Sequence, residues 1–543
     1  TAWSLNICSV PNTPITCGQI TTAWNGTSWS NGRPVSNVAA TINGDLTLND
    51  DLDVCSLNVI GTSQVLLQSN SNLTVDGIIN VASTANFTIE NNANLIQNQN
   101  VTNVANAIVK RNSNPLKRLD YTIWSSPVSG IQTLKDFSPN TLTNRFYNYN
   151  TSTNFYELVT DPLTQTFDLG KGYLIRMPDN HPTTPTVWNG EFAGNLNNGI
   201  IDANLSYVSA SQNYNMIGNP YPSTINAEAL LNNNSNDIFG TLYFWRKINN
   251  AAGTAYASYT LGGATTTSPT SPVPNGIIQV GQGFFVRAKN VTNPKVTFTN
   301  ALRVKNNADQ FFRTDSEIEK NRIWLNLTND SNLFVQTLAG YMTNATAGYD
   351  DLYDAISVND APIGLTSLVG NEEYSILLKS LPFDITDTIP LNFKTDVAGN
   401  YSIAIDHVDG LFETSNQEIY LRDSLLQTVH NLSNSPYAFS SEIGNFANRF
   451  EIVYQPTLKT SNITLDENQV SVKSSSSSNL IVESSKLKIN SITIFDTIGR
   501  LLFRINDINS RIENVTKLNA TNQTLLVKIE LENGSIVTKK IIF

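Results

Sequence analysis

The stretches ATINGDLTLND (residues 40–50), CSLNVIGTSQVLLQSNSNLTVDGIINVAS (55–83) and ANFTIENNANLIQ (85–97) alternate apolar and polar residues in runs of three to five, broken by Asn and Gly. Alternation with period two is the signature of a strand with one buried face. Evenly spaced short strands of this kind, running from about Thr22 to Val109, read as coils of a β-solenoid or as a meander. Each rung would stack Leu, Val and Ile inward and leave Asn and Thr outside. The preceding TTAWNGTSWSNGRPVS (21–36) is expected to cap the first rung with Trp24 and Trp29, or alternatively to offer those rings to a sugar.

Composition extends the all-β reading to the whole chain. Its 543 residues call for several domains. Charged residues are 15% of the total, and Asn, Thr, Ser and β-branched residues dominate, which suits many strands joined by polar turns. A net charge of −11 argues against nucleic acid as a partner, because phosphate binding needs clustered Lys and Arg. No apolar run is long enough to cross a bilayer as a helix, so no transmembrane segment is expected. Thr1 in place of Met suggests that an export signal has been removed.

Between residues 111 and 304 the chain repeats itself. Tyr121-Thr-Ile-Trp-Ser-Ser-Pro127 parallels Tyr214-Asn-Met-Ile-Gly-Asn-Pro220. Arg145-Phe-Tyr-Asn-Tyr149 parallels Thr241-Leu-Tyr-Phe-Trp245, and Gly170-Lys-Gly-Tyr-Leu-Ile-Arg176 parallels Gly281-Gln-Gly-Phe-Phe-Val-Arg287. Thr186-Val-Trp188 and Val296-Thr-Phe298 close the two copies. Four landmarks in one order define halves at 111–205 and 206–304. The paired glycines predict a bulge or tight turn entering a strand, since Gly takes positive φ without cost. The charged stretch 305–322 reads as a linker. Seven alternating runs in 323–456 predict an immunoglobulin-like or jelly-roll sandwich. A Ser-rich tether over 457–479 overlaps the start of a last small sandwich, 466–543. The first domain is then 1–110, cap plus solenoid.

The three cysteines, Cys8, Cys17 and Cys55, suggest one local staple in an oxidising compartment, with Cys8–Cys17 the preferred pair. The three histidines, His181, His407 and His430, are far apart and fit no catalytic or zinc spacing, and no G-x-S-x-G occurs. Neither a catalytic constellation nor a cofactor is therefore expected. Asp350, Asp351 and Asp354 could offer oxygen ligands to calcium, although a solvated turn is the plainer reading. A polysaccharide-active exoenzyme, or its glycan-binding region, is the alternative to a non-catalytic binding protein, but Asp45, Asp50, Asp51, Asp53, Asp76 and Glu90 are thin material for a solenoid hydrolase.

In the last eighty or so residues, Ile494-Phe-Asp496 followed by Ile498-Gly-Arg500 places a turn between two strands, Asn533-Gly534 marks a hairpin, and Lys539-Lys-Ile-Ile-Phe543 ends the chain as an edge-type strand. This segment resembles the C-terminal sorting domains that Bacteroidota, flavobacteria among them, attach to cargo of the type IX secretion system. The sequence Asn522-Gln-Thr524 stands where that family usually has Gly-x-Tyr, which moves the match from the type A pattern toward type C. The resemblance implies export through an outer-membrane translocon, recognition by a shuttle barrel, and a secreted, cell-surface or outer-membrane-associated destination; the solenoid, duplicated domain and sandwich before it read as a non-catalytic stalk, adhesin or binding module. The matching residues, Asp496, Gly499, Arg500, Gly534, Lys539 and Lys540, are the implied recognition set; as plain structure they would be turn glycines and edge-blunting lysines. Such cargo normally loses this domain, so a chain that retains it is expected to be uncleaved or held in a complex. Asp387-Thr388-Ile389 and Asp423-Ser424-Leu425 fit the pattern this phylum O-glycosylates, making Thr388 and Ser424 candidate acceptors.

Overall fold

The structure is a computed structural model describing residues 17–246, 253–305, 318–456, 470–476, 479–516, 518, 520, 523–532 and 536–543. Half of the chain is strand and only 4% is helix. Two units separate, Thr1–Pro456 and Thr457–Phe543.

The first unit opens with a β-solenoid of about four turns. Three parallel sheets form its faces, and equivalent positions of successive coils stack directly. One inward column runs Leu48, Leu67, Ile89, Val109, and another Ile42, Val59, Val81, Ala105, all nearly inaccessible to solvent. Asparagine does two jobs between these columns. Asn70 and Asn92 take the left-handed conformation at corners (φ 68° and 63°), which Asn tolerates better than other L residues. Asn94 and Asn72 ladder inside, the Asn94 amide donating to Asn72 Oδ1 at 3.0 Å and Asn72 donating to Asp51. Trp24 and Trp29 pack ring to ring (5.4 Å) at the entrance, half-buried against the core. Trp24 ends a true rung, Ile20–Trp24, that pairs in parallel with Val38–Ile42.

The expected Cys8–Cys17 bridge is corrected. Cys17 is joined to Cys55, with Cα atoms 5.5 Å apart, so the staple ties the entrance of the solenoid to a corner of its next coils instead of closing a short loop. Cys8 lies outside the described residues.

The last solenoid strand, Val104–Asn112, changes the pairing from parallel to antiparallel by taking Asn189–Leu196 as its neighbour. The same arrangement recurs where Ile201–Asn204 pairs with Lys295–Phe298. Each copy of the internal repeat therefore draws in the strand before it, so the copies begin earlier than their landmark motifs. Within each copy a four-stranded sheet has one strand order. In the first copy this is Tyr121–Trp124, Tyr173–Arg176, Phe146–Asn150, Phe155–Leu158; in the second it is Tyr214–Gly218, Gly283–Arg287, Leu242–Trp245, Tyr256–Tyr259. The copies clasp each other reciprocally: Lys171 bridges to Ile217 of the second copy, and Gln282 bridges to Trp124 of the first. The Gly-x-Gly motifs explain themselves here. Gly170 and Gly281 have φ of 73° and 70°, the expected turn, whereas Gly172 and Gly283 are required by close approach. A Cβ on Gly283 would stand 2.1 Å from Ile123 Cγ2, and one on Gly172 would stand 2.9 Å from the same atom.

Residues 318–456 form one continuous eleven-stranded sheet wrapped on its own core, antiparallel except where Phe334–Met342 runs parallel to Glu372–Ser380. Its first strand, Lys320–Asn329, starts inside the stretch read as a linker, of which 306–317 lie outside the described residues. Solenoid, repeat and sandwich belong to a single unit instead of three separate ones. The second unit has two sheets, Val470–Ser476, Asn479–Ser484, Ile512–Val515 and Leu501–Ile505, Ile489–Asp496, Thr524–Leu531, Ile536–Ile542, enclosing a core of Leu480, Val482, Ile492, Ile494, Leu525 and Val527 among others.

Candidate functional site

In the C-terminal unit the residues nominated from sequence divide into a rigid turn and an edge. Asp496 closes the strand Ile489–Asp496; its carboxylate accepts N–H bonds from Ile498 (3.1 Å) and Arg500 (2.8 Å) and from the Arg500 guanidinium at 3.0 Å. Burial works against the charge of Asp496, but these donors outweigh it and hold the carboxyl below its usual range. Gly499 has φ 81° and open space around its Cα, so conformation alone selects glycine there. Arg500 is 70% exposed in its side chain and free to contact a second molecule while anchored at Nε.

Lys539 and Lys540 lie on the strand Ile536–Ile542, which pairs only with Thr524–Leu531 among the described residues and so forms an edge. Consecutive strand residues face opposite ways. Lys540 points outward with the exposed Ile536 and Ile542, while Lys539 is half-buried on the other face. The two lysines thus do not form one basic patch. Gly534 lies outside the described residues.

The glycosylation motifs prove dissimilar. Asp387 pairs with Lys379 and accepts from Tyr341, and Thr388 is half-buried in the strand Thr388–Thr395. Ser424 is exposed, but its neighbour Asp423 is buried in an ion pair with Arg449. The Asp350 cluster is knitted into its own loop. Asp354 is fully buried and accepts N–H bonds from Asp350 (2.7 Å) and Leu378 (2.8 Å), Asp351 pairs with Lys289, and desolvation pushes Asp354 up to about 7. Among the described residues no three His, Cys, Asp or Glu side chains form a metal-holding group. His181 bonds to the carbonyls of Leu116 and Thr186, His407 stacks on Trp324 beside Asp406, and His430 bonds to the Ser435 carbonyl.

Sequence reasoning passed over the clefts of the duplicated domain. The reciprocal clasp makes two of them, each walled by the first strand of one copy and by the aromatic strand and Gly-x-Gly approach of the other. One, of about 330 Å³, is lined by Trp124, Arg111, Arg246 and Gln282; the other, about 910 Å³, by Ile217, Asp161, Asp168 and Lys171. The signal was present in the alignment of the copies, where Arg246 follows Trp245 as Asn150 follows Tyr149.

Residues 15–454 match a family model described as a domain of unknown function, DUF8693, and residues 458–543 match a second, DUF8694. No curated protein matches the chain.

Proposed function

This chain belongs to the DUF8693 family, and we propose that it is a non-catalytic binding or adhesive protein of the cell surface, exported as type IX cargo through its C-terminal unit. The observation that carries the reading is the separateness of that unit. Residues 457–543 enclose their own core, match their own family model over 458–543, and present a braced Asp496-to-Arg500 turn together with a strand that is an edge among the described residues. An address read by other proteins needs these properties: it must fold without its cargo and offer a rigid feature plus an edge for strand addition. The remaining 456 residues supply an elongating solenoid and polar clefts, and each histidine is occupied by a carbonyl, a ring or a neighbouring carboxylate. In a bacterium with a type IX system, fusing 457–543 to a periplasmic reporter should carry the reporter to the surface. Deleting the same residues from the full chain should leave it in the periplasm; undiminished secretion of the truncated chain would refute the proposal.

A further inference from the structure

The smaller cleft of the duplicated domain has an electrostatic peculiarity. Arg111 and Arg246 line it, and among the described residues no Asp or Glu does. Arg111 donates to a neutral group, Asn92 Oδ1, at 2.8 Å. Arg246 makes no side-chain hydrogen bond among the described residues; its Nε is buried without a partner, and its guanidinium carbon lies 6.0 Å from the Phe244 ring centre. The indole Nε1 of Trp124, also in the lining, is buried and unpartnered.

Burial of a cation without a counterion is costly, and folded proteins normally supply one. Elsewhere this chain satisfies a buried guanidinium either with several neutral acceptors and a ring or with a carboxylate. Arg303, deeper than either, bonds to Ser223, Asn198, Asn300 and the Leu95 carbonyl and stacks on Tyr221. Arg449 has Asp423. The cleft arginines are left as donors in excess, and desolvation lowers both from the usual guanidinium range, Arg111 to about 10. The larger cleft, built from the same elements of the opposite copies, carries Asn150 at the position of Arg246, with Glu157, Asp161, Asp168 and Asp202 in its walls and Lys171 already paired to Asp168 at 3.0 Å. Two structurally equivalent sites have thus diverged to opposite charge, which packing alone does not require.

We propose that the Arg111–Arg246 cleft binds a carboxylate-bearing sugar, a uronate unit of an acidic glycan. A guanidinium suits a carboxylate, with which it forms charge-assisted and bidentate bonds. Gln279, Gln282 and Asn275 offer side-chain amides for ring hydroxyls, and Pro272, Val273 and Pro274 give an apolar wall for a sugar face. The volume of about 330 Å³ lies at the small end of ligand pockets, right for one or two rings of a longer chain. This assignment concerns a different part of the molecule from the C-terminal unit and stands whether or not that unit directs export.

The test is calorimetric titration of the full chain with trigalacturonate, trimannuronate and a hyaluronan tetrasaccharide. Methyl-esterified trigalacturonate, a tetra-glutamate peptide and inorganic phosphate serve as comparison probes. Saturable binding to at least one uronate is expected, weakened tenfold or more in Arg246→Asn, which installs the residue of the other copy, and in Arg111→Gln. Lys171→Gln in the opposite cleft should change it less than twofold, and circular dichroism melts will identify a variant that has lost its fold. The proposal is overturned if no uronate binds, if the ester, peptide or phosphate binds as tightly as the best uronate, or if both folded arginine variants retain full affinity.

Discussion

The Asp423–Arg449 pair offers a sharp test of the sandwich, because the same aspartate belongs to a candidate glycosylation motif. Side-chain exposure is 4% for Arg449 and 1% for Asp423. Arg449 donates from Nη2 at 3.0 Å and from Nε at 3.2 Å to Asp423 Oδ2, while Tyr437 and the N–H groups of Leu425 and Leu426 donate to the same carboxylate. The guanidinium carbon also lies 4.6 and 4.7 Å from the centres of the Phe439 and Phe450 rings, which shield it from water. Asp423→Ala strands that cation and removes an acceptor from Tyr437. Breaking one side of a buried pair costs about 3–5 kcal/mol, whereas replacing both sides with apolar groups is often neutral. Hydrogen exchange followed by mass spectrometry on full chain should therefore show the opening free energy of peptides over 420–423 and 444–453 fall by about 3–5 kcal/mol. The double variant Asp423→Leu, Arg449→Met should recover most of that loss. A single-variant change below about 1 kcal/mol, the value of an exposed pair, would refute the buried geometry.

Three further outcomes follow from other sites. Asp354, with its folded pKa raised to about 7, binds its proton more tightly in the folded state, so its penalty is absent below about pH 4, grows as pH rises, and is complete above about pH 7. Between pH 4 and pH 8 the wild type should lose about 4 kcal/mol of urea stability relative to Asp354→Asn. Gly283→Ala drives its methyl into Ile123 and should cost about 1–3 kcal/mol in a thermal melt, with the cost of Ile123→Ala markedly smaller in that background than alone. Thiol titration of the denatured, unreduced chain should find one free cysteine, mapped to Cys8, and reduction should cost the solenoid about 4 kcal/mol, as expected for a 38-residue separation, read as faster proteolysis of its first coils.

What could be read in the sequence was whatever local spacing controls. The solenoid columns were visible because stacked coils repeat one apolar position every coil, and the duplication because Gly172 and Gly283 face the same Ile123 and neither tolerates a side chain. The Cys17–Cys55 bridge was not visible, since coil stacking brings together residues that linear distance keeps apart. The break between linker and sandwich was misplaced because Lys320-Asn-Arg322, charged and polar, sits in a strand: Asn321 is buried and Arg322 is paired with Asp409, contacts that a hydropathy pattern does not carry. Lys539 and Lys540 are neighbours in sequence, but strand geometry sends them to opposite faces.

The clefts show the reverse case, where sequence held the information but only structure gave it meaning. A duplicated domain begins with two identical sites, and the residues that clasp the copies cannot vary freely: Gly172, Gly218 and Gly283 would each place a Cβ within 3.0 Å of a neighbouring atom. Residues lining the clefts have no such restraint. The positions of Arg246 and Asn150 have accordingly diverged in charge while the strand order of the two sheets has stayed the same. A half-buried guanidinium without a side-chain partner among the described residues lowers the stability of a fold that does not need it. Its presence in one copy and absence from the other is accounted for by an anion that arrives from outside the chain, and the loss of binding on Arg246→Asn is the measurement on which that explanation depends.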